Sequence, residues 1–117
     1  MIVEQVINTV KAEKEHPFDN EKLIAWINEV EAEVQEQLGM RPFVPVEHLS
    51  DKLQAKQPYD RLYVSYVKAK IDYALEEYAS YENNQAQHIA DFRDFVDWVV
   101  KTSQAINKVP RKLRGIY

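Results

Sequence analysis

The sequence predicts an all-α protein: a small bundle of four main helices with a long antiparallel helical hairpin, a variable loop between the second and third helices, and a flexible basic C-terminal tail. Three observations lead there. Only 2 glycines and 5 prolines punctuate 117 residues, which leaves long uninterrupted runs instead of the frequent turns of a sheet protein. Apolar residues recur at steps of three and four. Six of the seven tyrosines lie between Pro58 and Asn84, on what reads as one long amphipathic helix.

The first helix is expected over Ile2 to Lys14, where Ile2, Val3, Val6, Ile7 and Val10 form a narrow stripe and His16-Pro17 ends the run. Asp19 or Asn20 can cap the second, because a short side-chain oxygen accepts from the free amides of the first turn. Leu23, Trp26, Ile27, Val30, Val34 and Leu38 share a face of that helix. Gly39 stops it by entering the left-handed conformation at little cost. From Met40 to Gln57 the pattern weakens and Pro42 and Pro45 forbid a continuous helix, although Val46, Leu49 and Leu53 allow a short one.

Pro58 opens the tyrosine helix where its missing amide does little harm, and Asp60 suits the positive end of the helix dipole. Continued to Tyr81, this helix is about 36 Å long. Leu62, Tyr66, Ile71 and Ala74 are expected inward; Arg61, Ser65, Lys68, Asp72 and Glu76 mark the wet side. Asn83 and Asn84 should break the run and cap a last helix, Gln85 to Ser103, with Ile89, Phe92, Phe95, Val96, Val99 and Val100 inward and Trp98 at one edge. So short a break makes the two an antiparallel hairpin. One helical domain, residues 1–106, is followed by a tail, residues 107–117, expected to be mobile alone in water.

Composition narrows function. The absence of cysteine removes disulfides, thiolate catalysis and thiolate metal sites. The formal charge of −4 divides into 11 basic against 19 acidic residues up to Asn107 and four cations, Lys108, Arg111, Lys112 and Arg114, with no acid beyond it. An acidic body with a basic tail is unlike a generic DNA-binding surface. The N-terminal segment lacks the pattern of a signal peptide, and no run reaches the roughly 20 apolar residues of a membrane span. A soluble intracellular protein is expected.

No catalytic, cofactor or metal site is expected either. His16, His48 and His88 lie in different elements without metal-motif spacing, and read as surface or capping residues. Glu29, Glu31, Glu33 and Glu36 spread around a helix as a solvated face, and Asp91, Asp94 and Asp97 share a face that meets either solvent or a neighbour. Two glycines cannot build a phosphate loop, and no serine has a nucleophile context. The tyrosines have two uses: rings packed in the core with hydroxyls at its edge, or an interface, where Tyr and Trp are enriched. Tyr59, Tyr73 and Tyr81 are the candidates for partner contact. In the tail, Lys108, Arg111, Lys112, Leu113, Arg114 and Tyr117, with Ile116, suit binding to an acidic partner.

The ordered set Pro58-Tyr59-Asp60, Leu62-Tyr63-Val64, Ile71-Asp72-Tyr73, Tyr78, Tyr81, Asn83-Asn84 and Trp98, with Trp26-Ile27-Asn28-Glu29-Val30-Glu31 earlier, resembles small phage and prophage head-tail connector (adaptor, head completion) proteins of Gram-positive hosts. The two blocks cover over half of the chain. It departs from the pattern at Glu76, where many such proteins have glycine, and in placing its paired asparagines after Glu82. The resemblance implies a structural virion protein without enzymatic activity. It would form a ring under the portal, extend the DNA channel without sequence-specific binding and dock the tail, with portal and tail-side stopper proteins as partners. It would be made in the host bacterial cytoplasm, possess no membrane segment, and be monomeric when free. The rival expectation is a small helical nucleic-acid-binding or regulatory protein that uses its basic tail as an arm. That reading wants a cation-rich recognition helix, whereas the long helices offer acids.

Overall fold

The computed structural model describes residues 1–107, with side chains described as far as residue 103. Four helices follow in order: α1 (Val3–Glu13), α2 (Asn20–Gln37), α3 (Arg61–Ala74) and α4 (Tyr78–Asn107). The described part is all-α, with no strand and a single isolated antiparallel bridge between Ile2 and Lys52.

Local signals set the first two helices. Val3, Val6, Ile7 and Val10 are buried on α1 as the stripe predicts, and the Gln5 side chain accepts from the Ile2 amide at 2.8 Å. Asp19 caps α2 by accepting from the Lys22 amide at 2.9 Å. At the other end Gly39 takes φ +72°. The Met40 amide then donates back to the Gln35 carbonyl at 2.9 Å, closing the helix in the way glycine permits.

α3 is the hub, packed against α1, α2 and, most extensively, α4. Val64, Val67, Ala69 and Ile71 are buried around it, together with Leu62 and Tyr63. The expected wet side is therefore corrected in part: Arg61 and Glu76 are exposed, but Ser65 is buried and Asp72 has no exposed surface, because α4 covers them. Of the residues expected inward, Leu62 and Ile71 are fully buried, Tyr66 is half-buried and Ala74 is exposed, since it lies at the helix end.

The hairpin is present, but its turn is not at the asparagines. α3 ends at Ala74, a length of about 21 Å, and the chain reverses over Leu75, Glu76 and Glu77 before α4 begins at Tyr78. Asn83 and Asn84 lie inside α4. The Glu77 amide donates to the Asp72 carbonyl at 2.9 Å, and the Asp72 carboxylate accepts from Ser80 Oγ at 3.0 Å and from Asn84 Nδ2. Asn84 thus ties the turn from within the next helix instead of breaking it. α4 is also longer than expected, running past Ser103 to Asn107.

Glu76 occupies the left-handed region at φ 60°, where a side chain costs about 1–2 kcal/mol. Glu76→Gly is expected to raise the stability by about 0.5–1 kcal/mol, after allowing for the greater entropy of glycine in the unfolded chain. Urea titration beside Glu76→Ala checks it; equal stability of the two variants would contradict the strain.

Because α4 meets chiefly α3, its packed face is narrower than its apolar stripe. Phe95 is fully buried and Phe92, Val96 and Val99 partly so, whereas Ile89 and Val100 are about half exposed (49% and 48%). Inward positions that sequence assigned to those two belong instead to His88, which is buried, and to Asp91, which accepts from Ser65 Oγ at 2.9 Å.

Candidate functional site

The three polar residues Asn28, Glu31 and Gln35 lie along one line of α2, and each grips the segment between α2 and α3. Asn28 accepts from the Val46 amide at 2.8 Å and donates to its carbonyl at 2.9 Å. Gln35 does the same with Val44, at 3.0 and 2.8 Å. Glu31 accepts from the Gln54 amide at 3.1 Å, from Gln35 Nε2 at 3.3 Å and from the Tyr63 hydroxyl at 2.6 Å. The Tyr63 hydroxyl in turn accepts from the Ala55 amide at 2.9 Å. Backbone groups that a loop would otherwise leave to water are satisfied by side chains.

This overturns two expectations. The 40–57 segment forms no short helix after Pro45, only bends and turns, one of them at residues 49–50; Val46, Leu53 and Ala55 enter the core while Leu49 stays at the surface. Glu31 is not on a solvated face: it is fully buried, and burial raises its carboxyl above the usual range while the bonds from Tyr63, Gln35 and Gln54 pull it back. Its neighbours Glu29, Glu33 and Glu36 are exposed.

The histidines divide as well. His16 accepts from the Phe18 amide at Nδ1, 3.1 Å away, a local capping role, and His48 is exposed. His88 is buried, 3.0 Å from the Leu62 carbonyl, so its Nδ1 carries the proton and donates. Burial pulls its pKa down, which favours the neutral ring. Among the described residues no group of three or more His, Asp or Glu side chains is placed to hold a metal ion.

What remains is surface. At the α3–α4 corner Tyr73 and Tyr78 are 59% and 54% exposed, with Tyr73 ring centroids 6.0 Å from Tyr78 and 5.3 Å from Tyr81, both edge to face. A groove of about 380 Å³ runs beside them between Tyr66, Ala69, Lys70, Tyr73, Tyr81 and Gln85. Its wall is held by Glu29 of α2, which accepts from the Tyr66 hydroxyl at 2.7 Å and pairs with Lys70 at 3.2 Å, while the Lys70 ammonium lies over the Tyr66 ring. Aromatic rings exposed over a fixed polar frame suit contact with a protein partner.

The predicted trio of contact tyrosines therefore separates. Tyr73 and Tyr81 share one corner, with Tyr78 as a third member that sequence reasoning left out of the set; its spacing of five from Tyr73 hid it, because a turn intervenes. Tyr59 precedes the other end of α3, half-buried against Trp98 at 5.6 Å and Phe95 at 6.4 Å. Lys108, Arg111, Lys112, Leu113, Arg114 and Tyr117 lie outside the described residues. Among the described residues no helix is long and apolar enough to cross a membrane.

No protein-family profile, curated protein or solved structure matches the chain.

Proposed function

We propose that the chain is a structural subunit of a phage head-tail connector, a ring-forming adaptor that meets the portal on one side and tail-side proteins on the other. The ordered block from Pro58 to Trp98 carries the reading. The structural observation that supports it is the α3–α4 corner where the Tyr73 ring packs against both Tyr78 and the half-buried Tyr81 and more than half of Tyr73 and Tyr78 stays exposed. The acidic body suits a channel wall along which DNA slides, since affinity for duplex DNA comes from cation contacts with phosphate. In this reading the tyrosine corner meets a neighbouring subunit, and the basic tail meets the portal or an adjacent copy.

Electron microscopy of the chain mixed with phage portal proteins tests the proposal: a ring of added density at a portal is expected. Removing residues 108–117 should abolish that density while the helical circular dichroism persists; a truncated chain that docks normally would remove the tail from the interface. Tyr73→Ser combined with Tyr78→Ser should likewise preserve the fold and prevent the ring. If every portal tested stays bare with the intact chain, the whole reading fails.

A further inference from the structure

α4 carries a second apolar line that the described residues leave partly open. Ile89, Phe92, Val96 and Val99 recur at steps of three and four, with Ile89 and Val96, and likewise Phe92 and Val99, seven residues apart. That is the spacing by which two helices pack along a common seam. The face turned to α3 lies elsewhere on the helix, around His88, Asp91 and Phe95. Ile89 and Val100 are about half exposed, and Phe92, Val96 and Val99 are only partly covered. A groove of about 380 Å³ follows the line, between Glu33 of α2 and His88, Ile89, Phe92, Arg93 and Val96 of α4.

The rims of this groove carry opposite charges. At about 100° per residue, Arg93 stands about 80° to one side of the seam and His88 about 60° to the other, the side on which α2 places Glu33. Glu33 and Arg93 are both exposed, and neither takes part in an ion pair among the described residues. Asp97, one turn beyond Arg93, lies about 120° from the seam. The line is short, because Glu82 and Gln85 occupy the preceding positions of the repeat and Ser103 the position after Val99.

We propose that the open face of α4 is a docking surface for a second copy of this chain, paired in parallel and in register about a two-fold axis along the seam. Charge selects both the occupant and its direction. A parallel two-fold carries the Arg93 rim of each copy onto the Glu33 rim of the other, so two opposite-charge contacts flank an apolar centre. An antiparallel pair would set Arg93 beside Arg93 and Glu33 beside Glu33. Parallel pairing also sets Ile89, Phe92, Val96 and Val99 each against its own counterpart, the self-matching that an isologous interface requires. So short a seam belongs at the small end of protein interfaces, which makes the pair reversible. The inference does not rest on the connector reading, since a two-fold pair closes on itself and builds no ring.

Sedimentation equilibrium of the full chain reads the pairing: the apparent mass should climb from 13.8 kDa towards twice that value as concentration rises. Ile89→Ser with Val100→Ser, both at exposed positions, should hold the single-chain mass while circular dichroism keeps the helices. Glu33→Arg and Arg93→Glu should each weaken pairing about tenfold by facing like charges twice, and the two changes combined in one chain should restore it. Direction is read with cysteine, which the chain lacks. Ser103→Cys, on the seam, should oxidise to a covalent pair much faster than Lys101→Cys, which is exposed on another face. A single-chain mass up to about 1 mM overturns the proposal, as does pairing that survives Ile89→Ser with Val100→Ser. Pairing that the charge exchange does not restore, or in which Ser103→Cys links no faster than Lys101→Cys, overturns the parallel arrangement.

Discussion

Glu31→Ala lowers the stability by about 3–5 kcal/mol, the combined effect of stranding buried donors and removing a buried side chain. Its carboxylate has no exposed surface and accepts from the Tyr63 hydroxyl and the Gln54 amide. Gln35 loses less, because its amide nitrogen keeps the Val44 carbonyl. Urea unfolding measures the loss, and hydrogen exchange at Gln54 and Ala55 should accelerate beyond the global change as the 40–57 segment comes off α2. A loss below about 1 kcal/mol, the worth of an ordinary exposed contact, would mean the clamp does not hold the segment.

Glu31→Gln isolates the charge. Folding raises the Glu31 pKa from 4.5, so its stabilising contribution is complete below that value and is lost as pH rises through the higher folded-state pKa. Glu13 works in the opposite sense. Its hydrogen bond from Arg61, aided by Lys68, holds it at about 2, so its contribution is present above 4.5 and disappears as pH falls towards 2. The stability of the native chain relative to Glu31→Gln should therefore decline as pH rises above 4.5, with the Glu13 contribution common to both. A pH-independent difference would place Glu31 in a solvated setting.

Asp72→Ala is the second large effect, about 2–4 kcal/mol. Asp72 is fully buried where three elements meet: Lys14, just after α1, lies 2.8 Å from Oδ1, while Ser80 and Asn84 of α4 donate to Oδ2. Its removal strands Asn84 and frees the α3–α4 turn. Lys14 suffers less, because it is partly exposed and also pairs with Glu77. Asp72→Asn keeps an acceptor and should cost less than alanine. A Lys14→Met, Asp72→Asn double-mutant cycle in urea separates the ion pair from the turn-holding bonds; equal stability of Asp72→Ala and the native chain would show that the turn closes without it.

Much of the fold is legible in residue order because its signals are local. Pro17, Asp19 and Gly39 each act within one helical turn, and they bound α1 and α2 where the structure has them. The 75–77 turn carries no such residue. Glu76 adopts a conformation usually given to glycine, and no residue beside it announces that. Paired asparagines were the stronger local signal, yet Asn84 satisfies Asp72 from within a helix. For Glu31 the available sign was the 28, 31, 35 spacing, which sets three hydrogen-bonding side chains in line beside the apolar stripe.

The sequence by itself determined the all-α class, the four helices, the hairpin and the division of charge between body and tail, since these follow from periodicity, breakers and composition. Only the tertiary structure decided where the hairpin turns, which carboxylates are buried, and which tyrosines gather at one corner. Those outcomes depend on α4 covering the supposed wet side of α3 and on the 40–57 segment bringing backbone donors to α2. Burial of a polar group is decided by the partner that reaches it, and that partner is remote along the chain.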